Sequence, residues 1–103
     1  ERKNHMLAIT EYSVEQVLDP FGILAGKRYE FLIDIDVPED DELHSENGVR
    51  VRVIYKEDGE QSGVVRYELL ERTTGRLLDY DMEPEEEEEL AAFCREHLAE
   101  AEE

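Results

Sequence analysis

The chain of 103 residues has one cysteine, three lysines and no catalytic signature, and none of its apolar runs approaches the ~18 residues of a membrane-spanning helix. Each scarcity excludes something. A lone thiol, Cys94, cannot form an internal disulfide, and small secreted domains usually depend on such staples. Eleven Lys and Arg against 29 Asp and Glu leave a formal charge of −18. A phosphate binder needs clustered cations to displace counterions, so direct contact with nucleic acid is not expected, and an anionic lipid surface is disfavoured on the same ground. No charged-apolar-small leader precedes the first apolar run. The expectation is a soluble cytoplasmic protein with no membrane partner. Residues Glu1 to His5 are polar and patternless, and Met6 reads as the natural start after a short added remnant.

Forty percent of the residues are apolar, and they fall in periodic runs, so the chain is not a disordered acidic polymer. Tyr29, Phe31, Ile33, Ile35 and Val37 alternate with Arg28, Glu30, Asp34 and Asp36, which is the pattern of a half-buried strand. Val49, Val51, Val53 and Tyr55 repeat it, as do Val65, Tyr67 and Leu69, and then Leu78, Tyr80 and Met82. Leu7–Tyr12 reads as a short strand, followed by a helical turn opened by Ser13-Val14-Glu15-Gln16 and stopped by Pro20. Between the second and third long strands, one bulge or an odd loop near Gly59 or Gly63 is needed to keep the apolar face dry. It would pair Val53 with Val65 and Val51 with Tyr67. A loop of even length at Thr74-Gly75 would set Leu69 beside Tyr80 and Tyr67 beside Met82.

Pro84 suits the first position of a helix over 84–101, and the glutamates behind it sit where the helix dipole favours negative charge. Leu90, Phe93, Cys94, His97, Leu98 and Ala101 form one stripe on that helix. The expected fold is a single α+β domain over residues 1–103: an antiparallel meander of about five strands with the C-terminal helix packed on one face.

Candidate chemistry is thin. Asp34, Asp36, Glu39, Asp40, Asp41 and Glu42 offer oxygen ligands to Ca²⁺ or Mg²⁺, but not at EF-hand spacing. Cys94 and His97 lie three apart on the helix, yet no second pair completes a zinc site. An inward Cys94 among carboxylates would also be a poor thiolate. The stretch Gly22-Ile23-Leu24-Ala25-Gly26-Lys27 is one residue short of a phosphate loop and leads into a strand. Ser13, Ser45 and Ser62 show no nucleophile elbow. No catalytic residue, cofactor or metal ligand is assigned, and the chain is not expected to be an enzyme.

The face of the sheet turned away from the helix carries Arg50, Arg52 and Arg66 among Glu30, Asp34, Asp36 and Glu68, with Leu32, Ile54, Val64 and Leu70 between them. Solvated cross-strand ion pairs would explain it, and so would a dimer surface. Arg50, Arg52, Ile54, Arg66 and Leu70 are the candidate contact residues. The leading expectation is protein–protein contact, through self-association or another protein. Two alternatives stand beside it: an acidic mimic of nucleic acid binding a basic protein through Glu85 to Glu89 and Glu39 to Glu42, and divalent-cation binding in the acidic loop.

The segments Ile9-Thr10-Glu11-Tyr12-Ser13-Val14-Glu15, Asp19-Pro20, Gly22-Ile23-Leu24, Gly26-Lys27-Arg28-Tyr29-Glu30-Phe31, Pro38-Glu39-Asp40-Asp41-Glu42-Leu43 and Ala92-Phe93-Cys94 follow one another in a familiar order. Together they resemble a family of small, acidic, uncharacterised proteins of Bacillus-type bacteria. The resemblance spans nearly all of the chain from Met6. It implies a cytoplasmic bacterial protein and lends no catalytic residue.

Overall fold

The computed structural model describes residues 8–18, 21–23, 26–37, 46, 48–79 and 81–102. Four antiparallel strands of nine residues each, β1 (Ile9–Val17), β2 (Lys27–Ile35), β3 (Val49–Glu57) and β4 (Gly63–Glu71), follow one another in a meander of order β1-β2-β3-β4. A helix, α1 (Pro84–His97), and a terminal 3-10 turn, Leu98–Glu102, complete the α+β fold. Tyr29, Phe31, Ile33, Val49, Val51, Val53, Tyr55 and Leu69 line one sheet face and are buried beneath Met82, Leu90, Cys94 and Leu98. At about 1.5–3 kcal/mol for each buried side chain, this single layer is the main force holding the domain together.

The helix lies across the strands, from β4 towards β1. At its start the Met82 N–H donates to the Tyr67 hydroxyl (2.9 Å), which donates to Glu87 Oε2 (3.0 Å). At its far end Phe93 packs edge-on against Tyr12 of β1 with ring centroids 5.0 Å apart. Pro84 opens the helix as expected, and Glu86 reaches back to accept the Glu83 N–H at 2.9 Å.

Three expectations are corrected. Among the described residues the strands number four, not about five: beyond β4 Leu77 bridges Leu70, and the Leu78 N–H reaches the Leu69 carbonyl at 2.7 Å. The chain then leaves the ladder, and Met82 bonds the Tyr67 side chain instead of a backbone carbonyl. Ser13 to Gln16 form no helical turn. They continue β1, pairing Ser13 with Leu32 and Gln16 with Tyr29.

The bulge lies between β3 and β4, but its position differs. Val53 pairs with Tyr67 and Val51 with Leu69, while Tyr55 pairs with Val64. Val65 is therefore the extra residue and is 47% exposed, whereas Val64 packs against the core instead of lying on the opposite face.

At the β1–β2 end of the sheet Gly26 has φ +69°, and a Cβ there would fall 2.6 Å from the Glu57 carbonyl oxygen. Only glycine fits, and the contact seats the start of β2 against the end of β3. No helix among the described residues is long and apolar enough to cross a membrane.

Candidate interaction face

The register sorts the uncovered face into four cross-strand rows. They are Glu11–Asp34–Arg50–Leu70, Ser13–Leu32–Arg52–Glu68, Glu15–Glu30–Ile54–Arg66 and Val17–Arg28–Lys56–Gly63. The five candidate contact residues Arg50, Arg52, Ile54, Arg66 and Leu70 are thus all on this one face, on the adjacent strands β3 and β4. Leu77, bridged to Leu70 and 62% exposed, extends the first row.

Two of the five are held internally. Arg50 grips Asp34 with two bonds, Nε to Oδ1 at 2.6 Å and Nη2 to Oδ2 at 3.3 Å, and Asp34 is buried. Arg52 bridges strands, with Nε to Glu30 Oε2 at 2.6 Å and Nη1 to Glu68 Oε1 at 3.0 Å. These carboxylates hold both guanidinium groups above their ordinary pKa through charge-assisted hydrogen bonds. Arg66 and Glu15, at opposite ends of one row, are exposed and have no ion-pair partner among the described residues. Asp36 lies at the sheet's end, its N–H donating to the Ala8 carbonyl at 2.8 Å.

The charge on this face is unlike that of the molecule. Five acidic residues (Glu11, Glu15, Glu30, Asp34, Glu68) meet five basic ones (Arg28, Arg50, Arg52, Lys56, Arg66). The other 24 acidic and six basic residues carry the whole formal charge of −18. One half-buried aliphatic residue, Leu70, Leu32, Ile54 or Val17, interrupts each row.

The helix expected over 84–101 is α-helical to His97 and 3-10 from Leu98 to Glu102. Cys94 is wholly buried, and burial pushes its thiol up to about 12, far from a nucleophile. His97 turns away from it. Its Nδ1 contacts Glu100 Oε2 and the Tyr12 hydroxyl (3.2 Å), and that hydroxyl donates to both Glu100 oxygens at 2.8 and 2.9 Å. The hydrogen bonds from His97 and Tyr12 lower the Glu100 pKa, and Glu100 raises that of Tyr12. Sequence reasoning missed this cluster, since Tyr12 and His97 are 85 positions apart and nothing local pairs them.

Among the described residues no group of three His, Cys, Asp or Glu is placed to hold a metal ion. Glu39 to Glu42 of the proposed cation loop lie outside the described residues, as do the Asp19-Pro20 turn, Ser45 and Tyr80. An open groove runs beside the end of the helix, over Tyr55 and Leu98. Lys27 and Arg95 line it together with Glu57, Asp58 and Ser62, so its charge is mixed. The Ser62 hydroxyl is engaged there, accepting the Asp58 N–H and donating to the Gly59 carbonyl, both at 2.8 Å.

No curated protein and no solved structure matches the chain. A family profile matches residues 7–101, and the chain accordingly belongs to a family of unknown function, DUF6509.

Proposed function

We propose that this protein is a non-enzymatic, cytoplasmic interaction domain of a Bacillus-type bacterium, and that it pairs with a second copy of itself through the uncovered sheet face. The observation that carries the reading is the balanced charge of that face on a chain of formal charge −18. Only where repulsion is cancelled can two such bodies approach. Stacking the sheets face to face also leaves the glutamate-rich helices on the outside, as far apart as the molecule allows.

The rows are self-complementary. A two-fold axis running along the strands lays β1 of one copy over β4 of the other without changing the level of a row. Glu15 then faces Arg66, two exposed groups at the ends of their shared row with no ion-pair partner among the described residues. Arg28 over Lys56 is the unfavourable contact, at one end of the sheet. Four strands of nine residues span about 30 by 19 Å, or roughly 600 Å² per copy, from the usual strand dimensions. That places the pair near the lower limit of specific interfaces.

Size-exclusion chromatography over a concentration series, with charge exchange, tests it. Arg66→Glu should shift the protein to a monomer, and adding Glu15→Arg should restore the dimer. If Arg66→Glu leaves the elution volume unchanged, the sheet face is not the contact.

A second reading draws on the same segregation of charge. Glu85, Glu87 and Glu88 stand exposed on the helix, and a basic protein recognised in place of nucleic acid would meet them there. Such a complex forms at low salt and dissociates at moderate salt.

A further inference from the structure

We infer that the paired copies close around a phosphate-type dianion, held on their two-fold axis by Arg28 and Lys56 of each copy; the inference rests on the pairing proposed above. Three rows of the uncovered face contain both signs of charge: Glu11 and Asp34 with Arg50, Glu68 with Arg52, and Glu15 and Glu30 with Arg66. The fourth, Val17–Arg28–Lys56–Gly63, has two cations and no carboxylate. Like charges directly opposite each other are unfavourable in a sheet, and a chain of 29 acidic and 11 basic residues has no shortage of partners for them.

Neither cation is satisfied within the chain. Arg28 and Lys56 form no ion pair among the described residues, in contrast to Arg50 and Arg52 on the same face. Both are half-buried, and Arg28 Nε is sealed from solvent without a hydrogen-bond partner. The carboxylates around them are engaged elsewhere. Glu30 accepts from Arg52 Nε, and Glu15 faces Arg66 of the second copy in the pairing. Glu57 turns to the helix side of the sheet, where the Tyr29 hydroxyl donates to it at 3.5 Å, and Asp58 lines the groove on that side.

The two-fold completes the site. It sets Arg28 over Lys56 twice, so that four cations surround the axis at one level. Strands about 4.8 Å apart and facing sheets about 10 Å apart bring these four long side chains into one small space. Their mutual repulsion opposes the pairing at this end, and a dianion with several acceptor oxygens reverses the sign of the contact. Guanidinium forks match its geometry, and the ammonium groups add point charges. Gly63 puts no side chain beside Lys56, and a Cβ there would meet nothing within 4 Å, so the row is open at β4. Arg28 is the second residue of β2, at the end of the sheet, where an ion enters without crossing the interface.

Sedimentation equilibrium of the full chain tests the site in chloride, inorganic phosphate and glycerol phosphate at one pH and ionic strength, with circular dichroism confirming that each variant is folded. The pair holds the ion better than the single chain does, so phosphate at about ten times its dissociation constant should tighten the wild-type dimer about tenfold over chloride. Tightening by inorganic phosphate alone assigns the site to the free ion, and tightening by glycerol phosphate as well assigns it to a phosphoryl group on a larger molecule. Arg28→Gln and Lys56→Gln, in two different strands, should each remove the response to phosphate. Both should dimerise in chloride at least as tightly as the wild type, because fewer like charges are brought together. A wild-type dimer equally tight in chloride and phosphate overturns the site and leaves the pairing standing. Tightening by phosphate that survives both substitutions is a general salt effect and overturns the site as well. A wild-type chain that stays monomeric in every buffer overturns the pairing and the site together.

Discussion

Asp34 and Glu68 show how differently two carboxylates on one face can matter. Asp34 is buried under the Arg50 guanidinium, while Glu68 and Arg52 each keep about a third of their side chain in water. Asp34→Ala would leave Arg50 without its partner in a half-dry site, and should cost about 1–3 kcal/mol in a urea titration. Glu68→Gln removes a screened pair and should cost less than about 1 kcal/mol. Cys94 offers a second readout. With its thiol pushed up to about 12 by burial, labelling by a thiol reagent at pH 8 should occur only at the rate of global opening.

Tyr12 and Glu100 carry opposite pH signatures. The lowered Glu100 pKa stabilises the fold above its ordinary value of 4.5, and that contribution is lost as pH falls through the lowered value. The raised Tyr12 pKa stabilises below its ordinary value of 10.0, a contribution lost as pH rises through the raised one. Thermal midpoints of wild type and Tyr12→Phe should therefore differ at neutral pH and converge in strong acid and in strong base. A constant difference across the range would show that the loss is one of packing alone.

The elements differ in how much of them could be read from the chain. Unbroken alternation made β2 and β3 legible, and Pro84 with the Leu90, Cys94, Leu98 stripe made the helix legible. β1 was half read because its register shifts between Ile9 and Glu11, which puts Ile9 out of step with Tyr12 and Val14 and hides the strand's length from any period-two reading. Ser13-Val14-Glu15-Gln16 then resembled a cap, a local signal overruled by pairing with β2. The bulge at Val65 was required by parity, but parity alone does not say which of two adjacent valines is extruded. The uncovered face was legible as a set of residues. Which arginines were already engaged was not, because ion pairing depends on rotamers. At the helix start, Glu86 accepts the Glu83 N–H, so Glu86→Ala should fray the first turn and cost about 0.5–2 kcal/mol.

At the scale of the whole molecule, net charge and charge placement lead to different conclusions. The value of −18 argues for repulsion from other acidic bodies, yet the sheet face carries none of it. Two copies joined by that face still repel through their helices over a distance that salt shortens, from about 30 Å at 0.01 M to about 8 Å at 0.15 M. Self-association should therefore tighten as salt is added, whereas a basic partner on the helix would be released by the same change.

Sedimentation velocity of the wild-type chain, from micromolar to near-millimolar concentration at low and at physiological salt, tests the central claim most directly. The account predicts a reversible monomer–dimer exchange whose dissociation constant falls with salt. A folded chain that remains strictly monomeric at every concentration and salt would contradict it.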